Sequence, residues 1–342
     1  MNRPCILHID PTIYLLKIPL ANAIAPSTNC YLITDGDESL IIDPGALQQR
    51  SFDALASFLD ALGVDRSRAS FALTHFHPDH AGLLDRIALP ESKVYAGAAE
   101  LRRSYPKQAR RRSQELARRL FAENVANDVI PAFLHMDARS VGFNPAAHAL
   151  HPISEGDTIT VGRFVLDVLE LPGHTAGHLA FYERVSRTLF CGDHVLGLIS
   201  PCLEVPFGGQ DVLQTYFDSL DRTCNLPINH LAWGHGSLRQ DYLGRIHWLA
   251  NRHRQRAEEA RSIIEQSPAR TGIEIVKSLH WSVPFGTWDA IPPVQRCAII
   301  AGGLAVIDHL VARNIVERYR VADDTNRYRM CTDAHFACSS AK

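Results

Sequence analysis

Short apolar runs and amphipathic stretches alternate along the first 75 residues of the chain. Residues 13–18, 30–34 and 40–42 are rich in β-branched and aromatic side chains and predict strands. Apolar residues recur at helical spacing over residues 51–62, and Gly63 ends that pattern. Residues 71–73 then predict a short buried strand. Strands followed by alternating helix and strand indicate an α/β layered fold.

The pattern changes over about residues 100–147. Residues 101–121 hold eight basic side chains and one acidic one, a net charge of +7. Pro106 is expected to separate two helices, because proline disrupts a helix interior. Leu116, Leu120 and Phe121 would form a narrow apolar stripe on the second helix. We interpret this segment as a helical insertion.

The remaining chain first returns to strands and then becomes mainly helical. A hairpin that turns at Gly162 is predicted over residues 158–171, with further strands at 180–182 and 188–191. A long polar helix at 241–265, helices at 273–279 and 298–312, and a final β-like stretch follow. The order of two helices and a hairpin is typical of a winged-helix-like domain. We therefore predict a catalytic domain over residues 1–240 and a small, mainly helical domain over residues 241–342.

Composition narrows the class of protein. The 342 residues are 46% apolar and 21% charged, which suits a globular chain that can bury a core. The net charge of −2 does not favour nucleic-acid binding. None of the eight cysteines forms a C-x-x-C pair, so we expect reduced thiols. The N-terminal apolar stretch is interrupted by His8, Asp10 and Pro11, and no apolar run is as long as a membrane helix. We expect a cytoplasmic protein that does not span a membrane.

The 17 histidines are unusual, and three of them lie in one short stretch. Residues 74–82 read THFHPDHAG and place His75, His77, Asp79 and His80 directly after the predicted strand. So many imidazoles near a buried strand are costly unless each ring nitrogen has a partner. His75 and His77 can point the same way, while Asp79 and His80 reach a second position. This arrangement indicates two neighbouring metal ions.

Three further candidates follow at predicted strand ends. His174 lies in PGHT at residues 172–175, Asp193 in CGDH at 191–194, and His235 in GHG at 234–236. The flanking glycines permit a close backbone approach. Five histidines and two carboxylates make two sets of three ligands with one shared group. Nitrogen and oxygen ligands suit zinc.

The phrases THFHPDHAG, PGHT, GDH and GHG, preceded by IIDPG at residues 41–45, resemble the five motifs of the metallo-β-lactamase superfamily. Their order matches from about residue 12 to residue 236. The resemblance implies an αββα sandwich. It assigns the first metal to His75, His77 and His174, the second to Asp79, His80 and His235, and the bridging position to Asp193. It also implies that Asp43 orients a ligand. His178 and His194 have no ligand position in the family pattern, so we expect a supporting or surface role for them.

The motif residues also discriminate within the superfamily. The presence of both His80 and Asp193 resembles the metal-ligand pattern of the glyoxalase II, lactonase and nuclease branches. The C-terminal region resembles, more weakly, that of a subgroup with polyketide thioesterases and an endoribonuclease. We therefore expect a dinuclear hydrolase that cleaves a small thioester, ester or lactone by attack of a metal-bridging hydroxide. Asp79 would be the catalytic residue that orients the hydroxide and shuttles its proton.

Three alternatives stay open at this point. The first is a metal-dependent endoribonuclease of the same fold, which the basic insertion would serve. The second is a mononuclear iron enzyme similar to persulfide dioxygenases. The third is a non-catalytic protein that retains the site.

The cofactor and partner expectations follow from the leading hypothesis. We expect two zinc ions per chain, with iron or manganese as alternatives, and a small-molecule substrate whose binding residues are unknown. Nucleic acid is disfavoured as a partner, and a homo-oligomer is allowed.

Overall fold

The structure is a computed structural model that describes residues 5–9, 12–21, 25–138, 141–238, 240–282 and 285–331. Its larger sheet has seven strands in chain order. They are β1 (Cys5–Ile9), β2 (Thr12–Pro19), β3 (Ser27–Asp35), β4 (Glu38–Ile42), β5 (Ala69–Ala72), β6 (Lys93–Gly97) and β7 (Ala149–Ile153). Strands β1 to β4 pair antiparallel, and β4 to β7 pair parallel. A parallel pair needs a crossover, and helix α1 (Gln49–Ala61) supplies it between β4 and β5.

A second sheet has five strands in the order β12-β11-β10-β9-β8. The strands are β8 (Thr158–Val161), β9 (Phe164–Glu170), β10 (Leu179–Glu183), β11 (Thr188–Gly192) and β12 (His230–Trp233). Strands β8 and β9 form the hairpin predicted around Gly162, where φ is +54°. Strands β11 and β12 are parallel and are joined through helix α7 (Val212–Cys224).

The alternation of side chains across the larger sheet creates two cores. Leu16 and Leu32 belong to the core shared with Leu55 and Leu59 of α1. Their chain neighbours on the opposite face, such as Ile33, pack with residues of the second sheet. Period-two alternation with both faces buried is what a sheet between a helix layer and another sheet requires. The predicted layered α/β fold is confirmed.

Five helices lie between β5 and β7. They are α2 (Pro78–Ala81), α3 (Leu84–Ile87), α4 (Ala98–Ser104), α5 (Pro106–Ala122) and α6 (Ile130–Ala138). Pro106 begins α5, as expected at the first position of a helix. Leu116 and Leu120 are buried, but the predicted stripe is wrong at Phe121, which is 54% exposed. Residues 116 and 120 are four apart and share a helix face, whereas residue 121 is turned about 100° away.

The C-terminal region follows the predicted order of elements. Helices α8 (Tyr242–Gln266), α9 (Gly272–Ser278) and α10 (Pro293–Ala312) precede the hairpin of β13 (Val316–Arg320) and β14 (Asn326–Met330). Three-residue 3₁₀ turns lie at Arg66–Arg68, Pro145–Ala147 and Trp288–Ala290. A capping box between Thr271 and Glu274 begins α9. Helix α10 is long and apolar enough to cross a membrane by length and composition, yet 67% of its most apolar stretch is buried, as in a core helix.

The chain divides into two compact units that are not consecutive in sequence. The first contains Met1–Arg110, Asp137–Pro201 and Tyr216–His247, and the second contains Arg111–Met136, Cys202–Thr215 and Trp248–Lys342. The first unit holds both large sheets, and the second holds α9, α10 and the β13–β14 hairpin. Each unit is built from three separate stretches of chain, so the division into units does not correspond to a single cut in the sequence. The single boundary near residue 240 stays a prediction.

Candidate metal centre

All seven predicted ligands follow strands of the first unit, five of them in loops and two, Asp79 and His80, in the short helix α2. The stretch from His75 to His80 comes directly after β5, and His174 follows β9. Asp193 follows β11, and His235 follows β12. Residues that are 160 positions apart in the sequence therefore meet at one end of the two sheets.

The first cluster consists of His75, His77 and His174, whose donor atoms lie within 4.8 Å of one another. Nε2 of His174 is 3.0 Å from Nδ1 of His77. The ring of His75 meets the rings of both other histidines edge-on, with centroids 4.6 and 4.9 Å away. Three imidazole nitrogens thus converge on one point.

The second cluster consists of Asp79, His80 and His235, again with donor atoms within 4.8 Å. Nε2 of His235 lies 3.2 Å from Nε2 of His80 and 3.3 Å from Oδ2 of Asp79. Two nitrogens and one carboxylate oxygen share this position.

Asp193 lies between the two clusters. Its Oδ1 is 3.4 Å from Nε2 of His80, and its Oδ2 is 3.5 Å from Nε2 of His235. The same Oδ2 is 3.8 Å from Nε2 of His174. One carboxylate therefore faces ligand candidates of both clusters, the position that the resemblance gives to a bridging group.

Asp43 forms hydrogen bonds to His80 and to Thr74, the neighbour of His75. Its Oδ2 accepts hydrogen bonds from Nδ1 of His80 at 2.9 Å and from Oγ1 of Thr74 at 2.7 Å, and its Oδ1 accepts one from the Thr74 amide at 2.9 Å. Asp43 also lies within 4.8 Å of His75 and His80 as a third candidate cluster. Because its oxygens already accept three hydrogen bonds, we interpret it as an orienting residue. It is 2% exposed and has a φ of +52°, a strained conformation of the kind found at functional sites.

Hydrogen bonds at Nδ1 fix three of the imidazoles. Since the Thr74 hydroxyl donates to Asp43, its oxygen can accept from Nδ1 of His75, 3.0 Å away. Nδ1 of His235 donates to the Ser27 carbonyl at 2.9 Å. With the proton on Nδ1, the lone pair on Nε2 of His75, His80 and His235 is left for a metal.

Burial and neighbouring charges shift the pKa values of the site in opposite directions. Burial, followed by the charges of His80, His77 and His174, lowers the pKa of His75 well below its usual value. Burial also disfavours charge on His235, but Asp193 and Asp79 outweigh it and raise its pKa to about 10, so a metal would have to displace the proton on Nε2. Although burial opposes ionisation of Asp193, His235 and His80 hold the pKa of that carboxyl well below its usual value. The carboxylates are therefore ionised at neutral pH.

The residues fit a pair of divalent cations. Nε2 of His75 and Oδ1 of Asp193 are buried and have no hydrogen-bond partner among the described residues. An unsatisfied buried acceptor is costly unless something binds it. Gly234 keeps the space open, because a Cβ at that position would collide with Oδ1 of Asp193 and lie 2.7 Å from Cε1 of His80. Five imidazoles and two carboxylates form a donor set that suits zinc.

The supporting residue Thr74 was not predicted from the sequence, whereas His178 takes the supporting role that was one of its two expected roles. Thr74 connects Asp43 to His75, as described above. His178 is fully buried, stacks on His75 at a centroid distance of 5.0 Å and accepts the Asp193 amide at 3.2 Å. The alternative surface role for His178 and His194 is wrong, since both are buried. His194 contacts Oγ1 of Thr223 at 3.0 Å.

Comparisons with known proteins identify the family and the fold. The family model of the Metallo-beta-lactamase superfamily matches residues 24–235. The "Beta-lactamase-like protein 2 homolog" of Drosophila melanogaster is 23% identical, covering 77% of this chain and 77% of that protein. The "Hydroxyacylglutathione hydrolase GloC" of Haemophilus influenzae is 28% identical, covering 65% of this chain and 92% of that protein. A metallo-beta-lactamase family protein of Thermus thermophilus has the same fold, with a TM-score of 0.73 and 23% identity over 93% of this chain and 98% of that one.

Proposed function

Since the chain belongs to the metallo-beta-lactamase superfamily, we propose that it is a dinuclear metal-dependent hydrolase that cleaves a small thioester, ester or lactone. Superfamily membership and the hydroxyacylglutathione hydrolase relative support a metal-dependent hydrolase. The choice of a carbonyl substrate and of two metals is our proposal.

The observation that carries the proposal is the pair of three-residue clusters that share Asp193. His75, His77 and His174 would hold one ion, and Asp79, His80 and His235 would hold the other. Bound divalent metals supply polarisation of a carbonyl oxygen and lower the pKa of water towards neutral.

Asp79 is the proposed proton acceptor. Burial alone would raise its pKa, but the nearby His235 and His80 hold it well below its usual value. Asp79 is thus an ionised carboxylate at neutral pH, and its Oδ2 faces Nε2 of His235. It can orient an attacking water by accepting a hydrogen bond, and as a weak base it would pass the water's proton on rather than retain it.

A pocket of about 340 Å³ beside His235 is the proposed substrate site. Leu196, Leu198 and Ile199 give it an apolar wall, and among the described residues of its lining the half-buried Lys17 is the only charged group besides His235. The guanidinium of Arg245 holds this wall by donating to the Leu196 carbonyl at 2.6 Å and the Ile199 carbonyl at 2.7 Å. An apolar acyl group of a small ester or thioester would suit such a wall better than a nucleic-acid backbone.

The first experiment measures metal content and substrate class together. Protein purified without chelator should contain close to two transition metals per chain, mainly zinc, by elemental analysis. It should hydrolyse at least one substrate among acyl-glutathione, acyl-coenzyme A thioesters and homoserine lactones. A reproducible single iron per chain, or RNA cleavage without carbonyl hydrolysis, would reject the proposal.

Two ligand variants test the cluster assignment. Asp193→Ala and His75→Ala should abolish hydrolysis and weaken metal binding while the circular dichroism spectrum is retained. His247→Ala, a change at an exposed histidine of α8, is the matched control and should keep wild-type activity. Wild-type turnover by Asp193→Ala would contradict the mechanism.

We also propose that the protein acts in the cytoplasm on a small molecule and does not bind nucleic acid. The seven cysteines within the described residues are all free, as expected in a reducing compartment. Cys338 lies outside the described residues.

A further inference from the structure

A strongly basic pocket of about 520 Å³ lies within the second unit, and the proposed hydrolysis does not use it. Arg111, Arg118 and Arg119 of α5 line one side of it, and Arg318 of β13 lines another. A cavity of this size suits a nucleotide-sized ligand. The pocket therefore needs an explanation of its own.

The positive charge of this pocket exceeds what its carboxylates neutralise. Asp308 accepts from Arg119 at 2.7 Å and from Arg318 at 2.8 Å, and Glu115 pairs with Arg111 at 2.9 Å. The lining holds four guanidinium groups and two carboxylates, and the buried Glu123 also pairs with Arg119 at 3.2 Å, which leaves a net charge of +1. Over the described ranges, no carboxylate lies within ion-pair distance of Arg118.

The four arginines form two pairs. One pair is bound to Asp308, and the other has side chains exposed to solvent that could bind a ligand. Arg119 and Arg318 are partly buried and bound to Asp308, so they shape the wall of the pocket. Arg111 and Arg118 have exposed side chains. Exposed guanidinium groups contribute little to folding, and they keep donors for a ligand.

A glycine turn faces the same pocket. The amide of Gln210 donates to the Phe207 carbonyl at 3.0 Å, and the two central residues, Gly208 and Gly209, have φ values of +58° and +80°. Positive φ at both positions is the pattern of a type I′ turn, which side chains other than glycine and asparagine rarely adopt. In the described part of the chain, the amides of Gly208 and Gly209 have no backbone acceptor. Backbone N–H groups at such a turn are donors that phosphate oxygens can use.

We propose that this pocket binds a small molecule that carries two or more phosphoryl groups, with Arg111, Arg118 and the 208–209 amides as its donors. Arginine presents its donors in a planar fork that matches phosphate oxygens. These donors line one pocket of about 520 Å³, a volume that suits a compact polyphosphate. A coenzyme thioester and a free nucleotide share this chemistry, so the experiment separates them.

The test is a calorimetric titration of the full-length protein, with pyrophosphate, coenzyme A, dephospho-coenzyme A and ADP as probes. Pyrophosphate and at least one of the larger probes should bind with one-to-one stoichiometry. The Arg111→Gln/Arg118→Gln double variant should weaken that binding by about tenfold or more. Arg110→Gln, an exposed arginine of the same helix that does not line the pocket, is the matched control and should change affinity by less than about twofold. A preference for coenzyme A over dephospho-coenzyme A and ADP would identify a coenzyme ligand, and equal binding would identify a general diphosphate site.

The thermal midpoint of unfolding is measured for each variant as a control for folding. Because the substituted residues are exposed, we expect each midpoint to stay within a few degrees of wild type. Arg118→Glu provides a second variant that should abolish pyrophosphate binding by repulsion. The proposal is overturned if no probe binds the wild type, or if the double variant binds as tightly as the wild type. Binding of a single-stranded RNA without binding of any small probe would also overturn it. Titration does not depend on hydrolysis, so its failure leaves the proposed reaction untouched.

Discussion

Asp43 determines the orientation of ligand candidates in both clusters, although it belongs to neither. It accepts from Nδ1 of His80 directly and reaches Nδ1 of His75 through the hydroxyl of Thr74. The ligand histidines could be predicted because they lie in one nine-residue stretch and in short glycine-flanked phrases. The role of Thr74 and the specific contact of His178 could not, because each depends on a hydrogen bond to a residue 15 or more positions away.

Thr74→Val tests this chain of hydrogen bonds. Valine keeps the shape of the side chain but loses the hydroxyl that connects Asp43 to His75. We expect zinc affinity to fall roughly 10- to 100-fold, as for other residues that orient metal ligands. Competition with a chromophoric chelator measures the affinity. Thr158→Val, at an exposed position of β8, should leave it unchanged, and an unchanged affinity in Thr74→Val would show that the hydroxyl does not orient His75.

Gly234→Ala tests the close approach beside Asp193. The added methyl group would collide with Oδ1 of Asp193 and force the carboxylate or His80 to move. We expect activity to fall on the order of 100-fold, because misplacement by about 1 Å is enough for such a loss. Gly286→Ala is the control, because a Cβ at that position would meet no atom of the described residues within 4 Å. It should keep wild-type activity in the same kinetic assay. Normal activity of Gly234→Ala would show that the loop can relax.

At the scale of elements, a clear period in the sequence predicted most of the strands and helices, with helix α7 as an exception. Strand β7 reads ALHPI, with Pro152 inside and only Ile153 buried, so its alternation is absent. Helix α7 was not predicted, although its sequence carries a helical pattern with buried Leu213, Tyr216, Phe217 and Leu220. The layered fold could still be predicted, because the strands that form its two cores have clear patterns.

Glu123 connects α5 to β14 inside the second unit. It is fully buried, accepts from the Tyr328 hydroxyl at 2.9 Å and from Nδ2 of Asn326 at 2.6 Å, and pairs with Arg119 at 3.2 Å. Glu123→Ala should lower the free energy of unfolding by about 3–5 kcal/mol, because it leaves buried donors without their acceptor. Chemical denaturation measures the loss. Glu258→Ala, which breaks an exposed pair with Arg261, should cost less than about 1 kcal/mol, and equal costs would refute the role of the buried network.

His253 of α8 gives the second unit a defined acid sensitivity. Burial, and then the charges of Arg256 and Arg252, lowers the pKa of this imidazole to about 3. The unfolded chain therefore binds a proton near pH 6.5 that the folded chain does not bind, so stability falls as the pH drops from about 6.5 towards 3. The loss is about 1.4 kcal/mol per pH unit. His253→Leu should flatten the dependence of unfolding free energy on pH over this window, and an unchanged slope would contradict the assignment.

At the scale of the whole molecule, the proposed metals would connect four loops of the first unit. Ligands that bind only the folded chain stabilise it, so chelation should lower the melting temperature and added zinc should restore it. Asp193→Ala should respond less to zinc than the wild type, whereas His247→Ala should respond fully. Differential scanning calorimetry with and without chelator makes the measurement. A melting temperature that is insensitive to chelation would argue against a resident metal.

The interleaving of the two units in sequence has a consequence for synthesis on the ribosome. Arg119 and its partner Asp308 are separated by 189 residues. At translation rates of about 5–20 residues per second, Arg119 waits roughly 10–40 s for this partner. During that interval the second unit lacks α10, most of whose residues are buried in the folded protein. The nascent chain is then most exposed to aggregation and to capture by chaperones, and a stop codon placed before α10 should yield insoluble protein.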